Sequence, residues 1–211
     1  MTPLRSVLLD EHSWLSHGFG TRHDDAWTPA GRTARLRQVH AAGVVAVSLP
    51  GEHGDGDTLI TGAPDLWLEI RTADCVPLLI ADPVRRIVAA VHAGWRGTDA
   101  AISRITVETL SNQWRANPKD LLVAIGPSIA ACCFEVGEDV AARFPGHITQ
   151  SEPRPHIDLV DANRRQLVAA GVPESSIHSL GVCTACNPST FHSFRRDRST
   201  GRMVSAIQIR P

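Results

Sequence analysis

Short apolar runs dominate the chain, and they read as strands. Residues 76–81 (VPLLIA) and 87–91 (IVAAV) are nearly continuous apolar runs of strand length. Between them stand Asp82, Pro83, Arg85 and Arg86, which is turn chemistry and predicts a hairpin. Thr58–Thr61 and residues 67–71 are strands leading into it, and residues 44–49, 121–125, 177–182 and Met203–Ile209 are further strands. Residues 6–9 read as a short edge strand. Helical spacing is clearest over residues 100–115, where Ile102, Ile105, Thr109 and Leu110 recur, Trp114 extends the stripe and Asn117-Pro118 ends it. Residues 138–144 form a short helix. Asp158 or Asp161 caps another that runs through Ala170 and stops at Gly171 and Pro173. Residues 23–34, 50–57 and 145–157 read as loops. Strands that follow one another with few helices between them predict an α+β layered domain rather than a regular parallel βαβ wind.

Composition narrows the class. A chain of 211 residues makes one large domain or two small ones. The net charge of −1 offers no basic excess for nucleic acid, and Lys119 is the only lysine. The N-terminus lacks the pattern of a signal or transit peptide, and no apolar run approaches membrane-spanning length. Five cysteines, an odd number without a secretory signal, predict free thiols in a reducing compartment. The expectation is a cytoplasmic protein that binds neither nucleic acid nor membrane.

The candidate chemistry sits at the outer ends of the hairpin. Asp74 and Cys75 precede its first strand and His92 follows its second. In an antiparallel pair the entrance of one strand lies beside the exit of the other, so Cys75 and His92 should be neighbours. A thiol beside an imidazole is either a pair of metal ligands or a nucleophile with its base. Gly94 and Gly97 permit a tight path after His92, and Thr98 or Asp99 can cap the following helix. With Arg96 beside it, that helix start is a candidate anion pocket. Adding His40 gives two imidazoles and one thiolate, a catalytic zinc set with an open fourth position for water.

Other cysteines and charges read as structural. Cys183-x-x-Cys186 is half of a zinc knuckle or a redox pair. The nearby His178 and His192 lack the spacing to complete a knuckle, so reduced packing thiols are expected. Cys132 and Cys133 are adjacent, and an extended backbone would point them apart, so at most one should face a site. Asp55 and Asp57 belong to a glycine-rich loop without calcium-loop spacing and read as a solvated turn. The basic run Arg195, Arg196, Arg198 is a solvated turn or an anion holder.

Several of these pieces occur together in one known family. They are residues 17–22 (HGFGTR), Gln38-Val39-His40, residues 71–83 (RTADCVPLLIADP) and residues 90–97 (AVHAGWRG). Residues 125–136 (IGPSIAACCFEV), Asp158-Leu159, residues 182–188 (VCTACNP) and residues 191–202 (FHSFRRDRSTGR) continue the series. In this order the chain resembles the YfiH family of purine nucleoside phosphorylases, also named the polyphenol-oxidase laccase-domain family. The resemblance implies a single domain over residues 1–211, with an α/β/β/α arrangement of mixed, largely antiparallel sheets, similar to a toxin-deamidase-like fold. It implies zinc, with copper disfavoured, held by His40, Cys75 and His92. It implies phosphorolysis of adenosine, inosine and S-methyl-5'-thioadenosine to base and ribose 1-phosphate, with adenosine deamination as a second activity. The partners expected are purine nucleosides and phosphate, for a monomer or small homo-oligomer.

Within that frame Arg22, Arg71 and Arg96 are the candidate phosphate holders. Asp74, Cys75 and His92 are the candidate catalytic residues, with Asp74 orienting a ligand histidine or handling a proton. The chain departs from the family between Arg22 and Gln38, where residues 23–37 form a shortened segment lacking an expected Asn-Leu element. Three alternatives stay open. One is a metal-free cysteine hydrolase or amidase using Cys75 and His92, which would not need His40. Another is a copper phenol oxidase, disfavoured because no histidine cluster sufficient for several coppers is visible. The last is a binding module without catalysis.

Overall fold

A computed structural model describes residues 3–24, 27–28, 30–198 and 201–211. Parts of two sequence features, the shortened segment 23–37 and the stretch 191–202, therefore lie outside the described residues.

The strands are β1 (Leu15–Phe19), β2 (Thr33–Arg37), β3 (Val44–Ala46), β4 (Gly51–Asp55), β5 (Thr58–Thr61), β6 (Trp67–Thr72), β7 (Val76–Asp82), β8 (Ile87–Ala93), β9 (Leu122–Ile125), β10 (Ile148–Gln150), β11 (His156–Ile157), β12 (Ile177–Ser179) and β13 (Met203–Ile209). The helices are α1 (Val7–Asp10), α2 (Trp95–Asp99), α3 (Ile102–Trp114), α4 (Glu138–Ala141), α5 (Leu159–Ala169) and α6 (Phe194–Asp197). They build a six-stranded sheet in the order β12-β9-β7-β8-β5-β3, a five-stranded sheet in the order β1-β13-β6-β2-β4, and a small antiparallel pair of β10 and β11; the two large sheets form the core. Both sheets are mixed: β2 runs parallel to β4 and β6, and β3 to β5, while the hairpin strands are antiparallel. None of the described helices is long and apolar enough to cross a membrane.

The central hairpin forms as its sequence predicts. Val76 pairs with Ala93, Pro77 with His92 and Leu78 with Val91. Its turn closes on Asp82, whose carboxylate accepts the amides of Val84 and Arg85 at 2.8 and 2.9 Å. Every residue of β7 and β8 is buried, because the period-2 alternation of side chains presents apolar groups to both faces. On one face Leu78, Ile80, Ala89 and Val91 pack under Ile102, Val107 and Leu110 of α3 and Leu159 and Leu167 of α5. On the other, Leu79, Ala81, Val88 and Ala90 meet Phe19, Leu68, Ile70 and Ile207 of the five-stranded sheet. Each large side chain buried here contributes about 1.5–3 kcal/mol. The hairpin is thus the middle layer of a helix–sheet–sheet stack. Phe19 packs its ring directly over Gly126 after β9; a Cβ on Gly126 would fall 2.2 Å from that ring.

Local differences from the sequence reading have local causes. Residues 6–9 were expected as an edge strand, but α1 is helical, with the Asp10 amide donating to the Ser6 carbonyl at 3.0 Å. The Ser6 amide is taken by His17 instead of a strand neighbour. The segment after the hairpin is two helices rather than one, broken at Ala101, whose φ is +60°. Thr98 therefore lies inside α2 and caps nothing. Its hydroxyl donates to the Gly94 carbonyl at 3.0 Å and accepts from Asn163 at 2.9 Å, which ties α2 to α5. The 50–57 loop contains strand β4, and the 145–157 loop contains β10 and β11. Asp158 caps α5 as expected, accepting the Asp161 amide at 2.9 Å.

Candidate active site

The edge of the six-stranded sheet where β7 begins and β8 ends carries the site. Cys75 stands just before β7, and His92 sits on β8 opposite Pro77. His40 enters from the connection between β2 and β3, with a left-handed φ of +57° that turns its side chain back over the sheet edge. The His40 and His92 rings meet edge to face, 4.7 Å between centroids. One ligand atom from each of His40, Cys75 and His92 lies within 4.8 Å of the other two, a group able to hold a metal ion. Gly94 leaves the room this needs: a Cβ there would lie 3.1 Å from Cys75 Sγ and 3.2 Å from His40 Cδ2.

Asp57 organises two of these three residues, although its sequence context reads as a solvated turn. It is fully buried in front of β5. His92 Nδ1 donates to its Oδ1 at 2.8 Å, and its carboxylate also accepts the amides of His40 at 3.0 Å and Ala41 at 2.7 Å. The His92 amide bonds the Asp57 carbonyl at 2.7 Å. A carboxylate acceptor requires the proton on Nδ1, which leaves Nε2 as the ligand atom. Burial opposes the Asp57 charge, but the His92 bond and the two amides hold its pKa below the ordinary carboxylate value. For His92, burial works against the charged form, yet Asp57 and Cys75 raise the pKa to about 9. For Cys75, burial works against the thiolate, and the bonds to His40 and His92 outweigh it, lowering the pKa to about 6. The group is predisposed to a thiolate, the form that binds metal or attacks carbon.

Asp74 does something other than orient a histidine. Its backbone is left-handed, φ +89°, and both of its carboxylate oxygens are engaged. Oδ1 accepts the Thr184 hydroxyl at 2.6 Å, and Oδ2 accepts the Ser193 hydroxyl at 3.0 Å and the Arg195 amide at 2.7 Å. Its carbonyl accepts the Ile129 amide at 2.9 Å. Asp74 is therefore a knot that fixes the backbone entering Cys75. The carboxylate that orients His92 is Asp57.

His40, Cys75 and His92 lie at the wall of a cavity of about 910 Å³. Trp95, Phe134 and Phe194 supply aromatic surface, and Arg71, Arg96, Arg154, Arg195, Arg198 and Arg202 bring positive charge. A cavity of this volume that combines aromatic surface with several guanidinium groups suits a small organic ligand that carries or accompanies an anion. The candidate arginines separate. Arg96 lines the cavity with its guanidinium over the Trp95 ring, 4.4 Å from the centroid. Arg71 lines it too, held by Glu69 at 2.9 Å, while its backbone exchanges two hydrogen bonds with the Gln38 side chain. Arg22 lies elsewhere, in a recess with His23, Ser189 and Thr190, and donates to the Pro188 carbonyl. Arg195 and Arg198, read as a solvated turn or an anion holder, face the cavity from α6.

The family model described as multi-copper polyphenol oxidoreductase laccase matches residues 21–210. A purine nucleoside phosphorylase of Deinococcus radiodurans is 44% identical over 183 residues, spanning 83% of this chain and 70% of that protein. A protein named adenosine deaminase RL5, from an unknown prokaryotic organism, is 40% identical over 161 residues, spanning 72% of this chain and 61% of its own length. Among solved structures, YlmD from Geobacillus stearothermophilus superposes with a TM-score of 0.88 at 30% identity, covering 94% of this chain and 93% of that one.

Proposed function

The chain belongs to the multi-copper polyphenol oxidoreductase laccase family, and from that premise we propose that it is a zinc-dependent purine nucleoside phosphorylase with adenosine deaminase activity. The observation that carries this reading is the His40, Cys75 and His92 group at the wall of an arginine-bearing, aromatic cavity. Relatives named for both activities support it. We read the whole chain as one such domain, with the shortened segment partly filled by β2.

The donor set suits zinc. Two imidazoles and one thiolate are borderline-soft ligands, and three protein donors leave an open position of the kind catalytic zinc requires. Among the described residues this is the cluster of metal-binding groups that contains histidine, which favours a single ion over a multi-copper centre. When bound there, zinc would supply Lewis acidity and make water a nucleophile near neutral pH. The chain does the rest. Asp57 keeps His92 in one tautomer and fixes the backbone of His40. Arg96 and Arg71 offer guanidinium groups to phosphate, a bidentate acceptor, so that its oxygen can reach ribose C1'. Trp95, Phe134 and Phe194 provide aromatic surface for a purine and exclude water from around it.

The test is phosphate-dependent release of ribose 1-phosphate from adenosine, inosine and S-methyl-5'-thioadenosine, alongside ammonia release from adenosine. Zinc-loaded wild type should do both and Cys75→Ala neither. No turnover by zinc-loaded wild type would overturn the proposal.

A second reading has one specific observation behind it. Cys75, His92 and Asp57 line up as a depressed thiol, an imidazole and a carboxylate holding that imidazole, the order of a cysteine hydrolase. It predicts amide hydrolysis by chelator-treated protein that survives His40→Ala and is lost in Cys75→Ser.

A further inference from the structure

Away from the histidine-bearing cluster, two loops bring four more sulfurs together. Cys132 and Cys133 lie in a turn after β9, and Cys183 and Cys186 follow β12. A parallel bridge between Ser128 and Cys183 joins the loops, with the Thr184 amide donating to the Ser128 carbonyl at 2.9 Å. Neither adjacency nor spacing in the sequence suggested this meeting. The adjacent cysteines were expected to point apart, as on a strand, but the chain turns there and both face the same centre. All four are free thiols, and one sulfur from each lies within 4.8 Å of the others. Cys132 stands 3.8 Å from Cys133 and 3.7 Å from Cys186, and Cys133 stands 3.3 Å from Cys186. Sulfurs about 2.3 Å from a tetrahedral ion lie about 3.8 Å from one another; both Cys132 separations are close to this, Cys133 and Cys186 would move apart by a few tenths of an ångström, and Cys183 lies within the same 4.8 Å group.

We propose that Cys132, Cys133, Cys183 and Cys186 form a second metal site, a closed four-thiolate site for one structural zinc ion.

The surroundings answer to such a centre. Cys183 Sγ accepts the Ala130 amide at 3.4 Å, the kind of N–H···S contact that stabilises a ligand thiolate. Asn187 holds the Cys183 carbonyl at 2.8 Å, fixing the turn between the paired cysteines. Four thiolates around a divalent ion carry a net double negative charge, and two arginines brace the loops that carry them, Arg196 while also paired with Asp197 at 2.6 Å. Arg196 donates to the carbonyls of Thr184 and Ala185, each at 2.9 Å, and Arg195 to those of Cys133 and Glu135 at 3.3 and 2.7 Å. Four protein ligands leave no open position, so the ion here would be structural. The site also bears on the cavity. Thr184, between the two paired cysteines, donates to Asp74, and Arg195 lines the cavity and bonds the same carboxylate. An ion that fixes the loops would fix the wall on which Cys75 is mounted.

The experiment uses the full chain, purified under reducing conditions, loaded with zinc and freed of excess metal. Elemental analysis should find about two zinc ions in wild type and about one in Cys75→Ala. The Cys183→Ser/Cys186→Ser variant should also hold about one. Wild type itself gives a measurement that no folding defect can blur. Mass-spectrometric mapping of N-ethylmaleimide adducts should show Cys132, Cys133, Cys183 and Cys186 protected together until a chelator is added. A Cys75→Ala protein without zinc, or labelling of those four cysteines in zinc-loaded wild type without chelator, would overturn the proposal. So would a disulfide between Cys133 and Cys186 in the reduced preparation, or iron in place of zinc.

Discussion

The Asp57 carboxylate stands 2.8 Å from Nδ1 of His92, and the same carboxylate receives the backbone amides of His40 and Ala41. One buried side chain thus holds the ring of His92 and the backbone of His40. Asp57→Asn keeps the size but offers an N–H where a donor already points. Metal affinity should fall about 10–100-fold, the usual cost of losing an outer-sphere carboxylate. Competition with a chromophoric chelator reads this directly. Unchanged affinity would remove Asp57 from the site.

Gly94 has an ordinary backbone, φ −71°, so alanine is conformationally acceptable there. Its methyl group would still press on Cys75 Sγ and His40 Cδ2. Gly94→Ala should therefore lower metal occupancy while changing the stability of chelator-treated protein by less than about 1 kcal/mol. Elemental analysis and urea unfolding on the same preparation separate the two effects.

Gly126→Ala should do the opposite. Its Cβ would fall on the buried Phe19 ring that joins the two sheets. A loss of about 1–3 kcal/mol is expected from overpacking, seen as a lower urea midpoint.

The arginines predict different kinetics. Arg96→Ala should raise KM for phosphate, because Arg96 lines the cavity. Arg22→Ala should leave it unchanged, because Arg22 lies in another recess. Equal effects of the two substitutions would contradict the placement.

His17 carries a pH dependence of stability. It is buried and its Nε2 accepts the Ser6 amide at 2.9 Å. Burial first, and then Arg5, lower its pKa from 6.5 to about 4, against a smaller opposing pull from Asp10. The unfolded chain therefore binds this proton more readily than the folded one. The stabilisation is fully present above about pH 6.5 and is lost as pH falls towards about 4, an effect of roughly 3 kcal/mol. Urea unfolding of chelator-treated wild type and His17→Gln across this window should show the steeper fall in wild type. Parallel curves would exclude His17 as the cause.

Where sequence and structure agree, the deciding contacts are local or follow from pairing. The 76–91 hairpin, with its turn at Asp82, was legible because both strands and the turn lie in one short stretch, and antiparallel pairing then placed Cys75 near His92. The same reasoning could have found Asp57. It stands just before β5, and β5 pairs with β8 so that Thr58 faces Val91, which puts Asp57 beside His92. What hid it was the partner choice of β5, which depends on the whole sheet. Asp74 was seen, but its partners Thr184, Ser193 and Arg195 lie 110 to 121 residues away, beyond any local pattern. The four-cysteine cluster was hidden because side-chain alternation holds only for extended backbone, and the loop at Cys132 and Cys133 turns.

Strand β13 lies between β1 and β6, in the interior of the five-stranded sheet. A chain that stopped short of residue 203 would therefore leave β1 and β6 with unpaired edges facing each other. The donors that lock Asp74 stand only slightly earlier, at residues 184, 193 and 195. A shortened chain could thus hold His40, Cys75 and His92 and still lack the pieces that fix the backbone before Cys75. Strand β13 is what makes one sheet out of β1 and the β6-β2-β4 group.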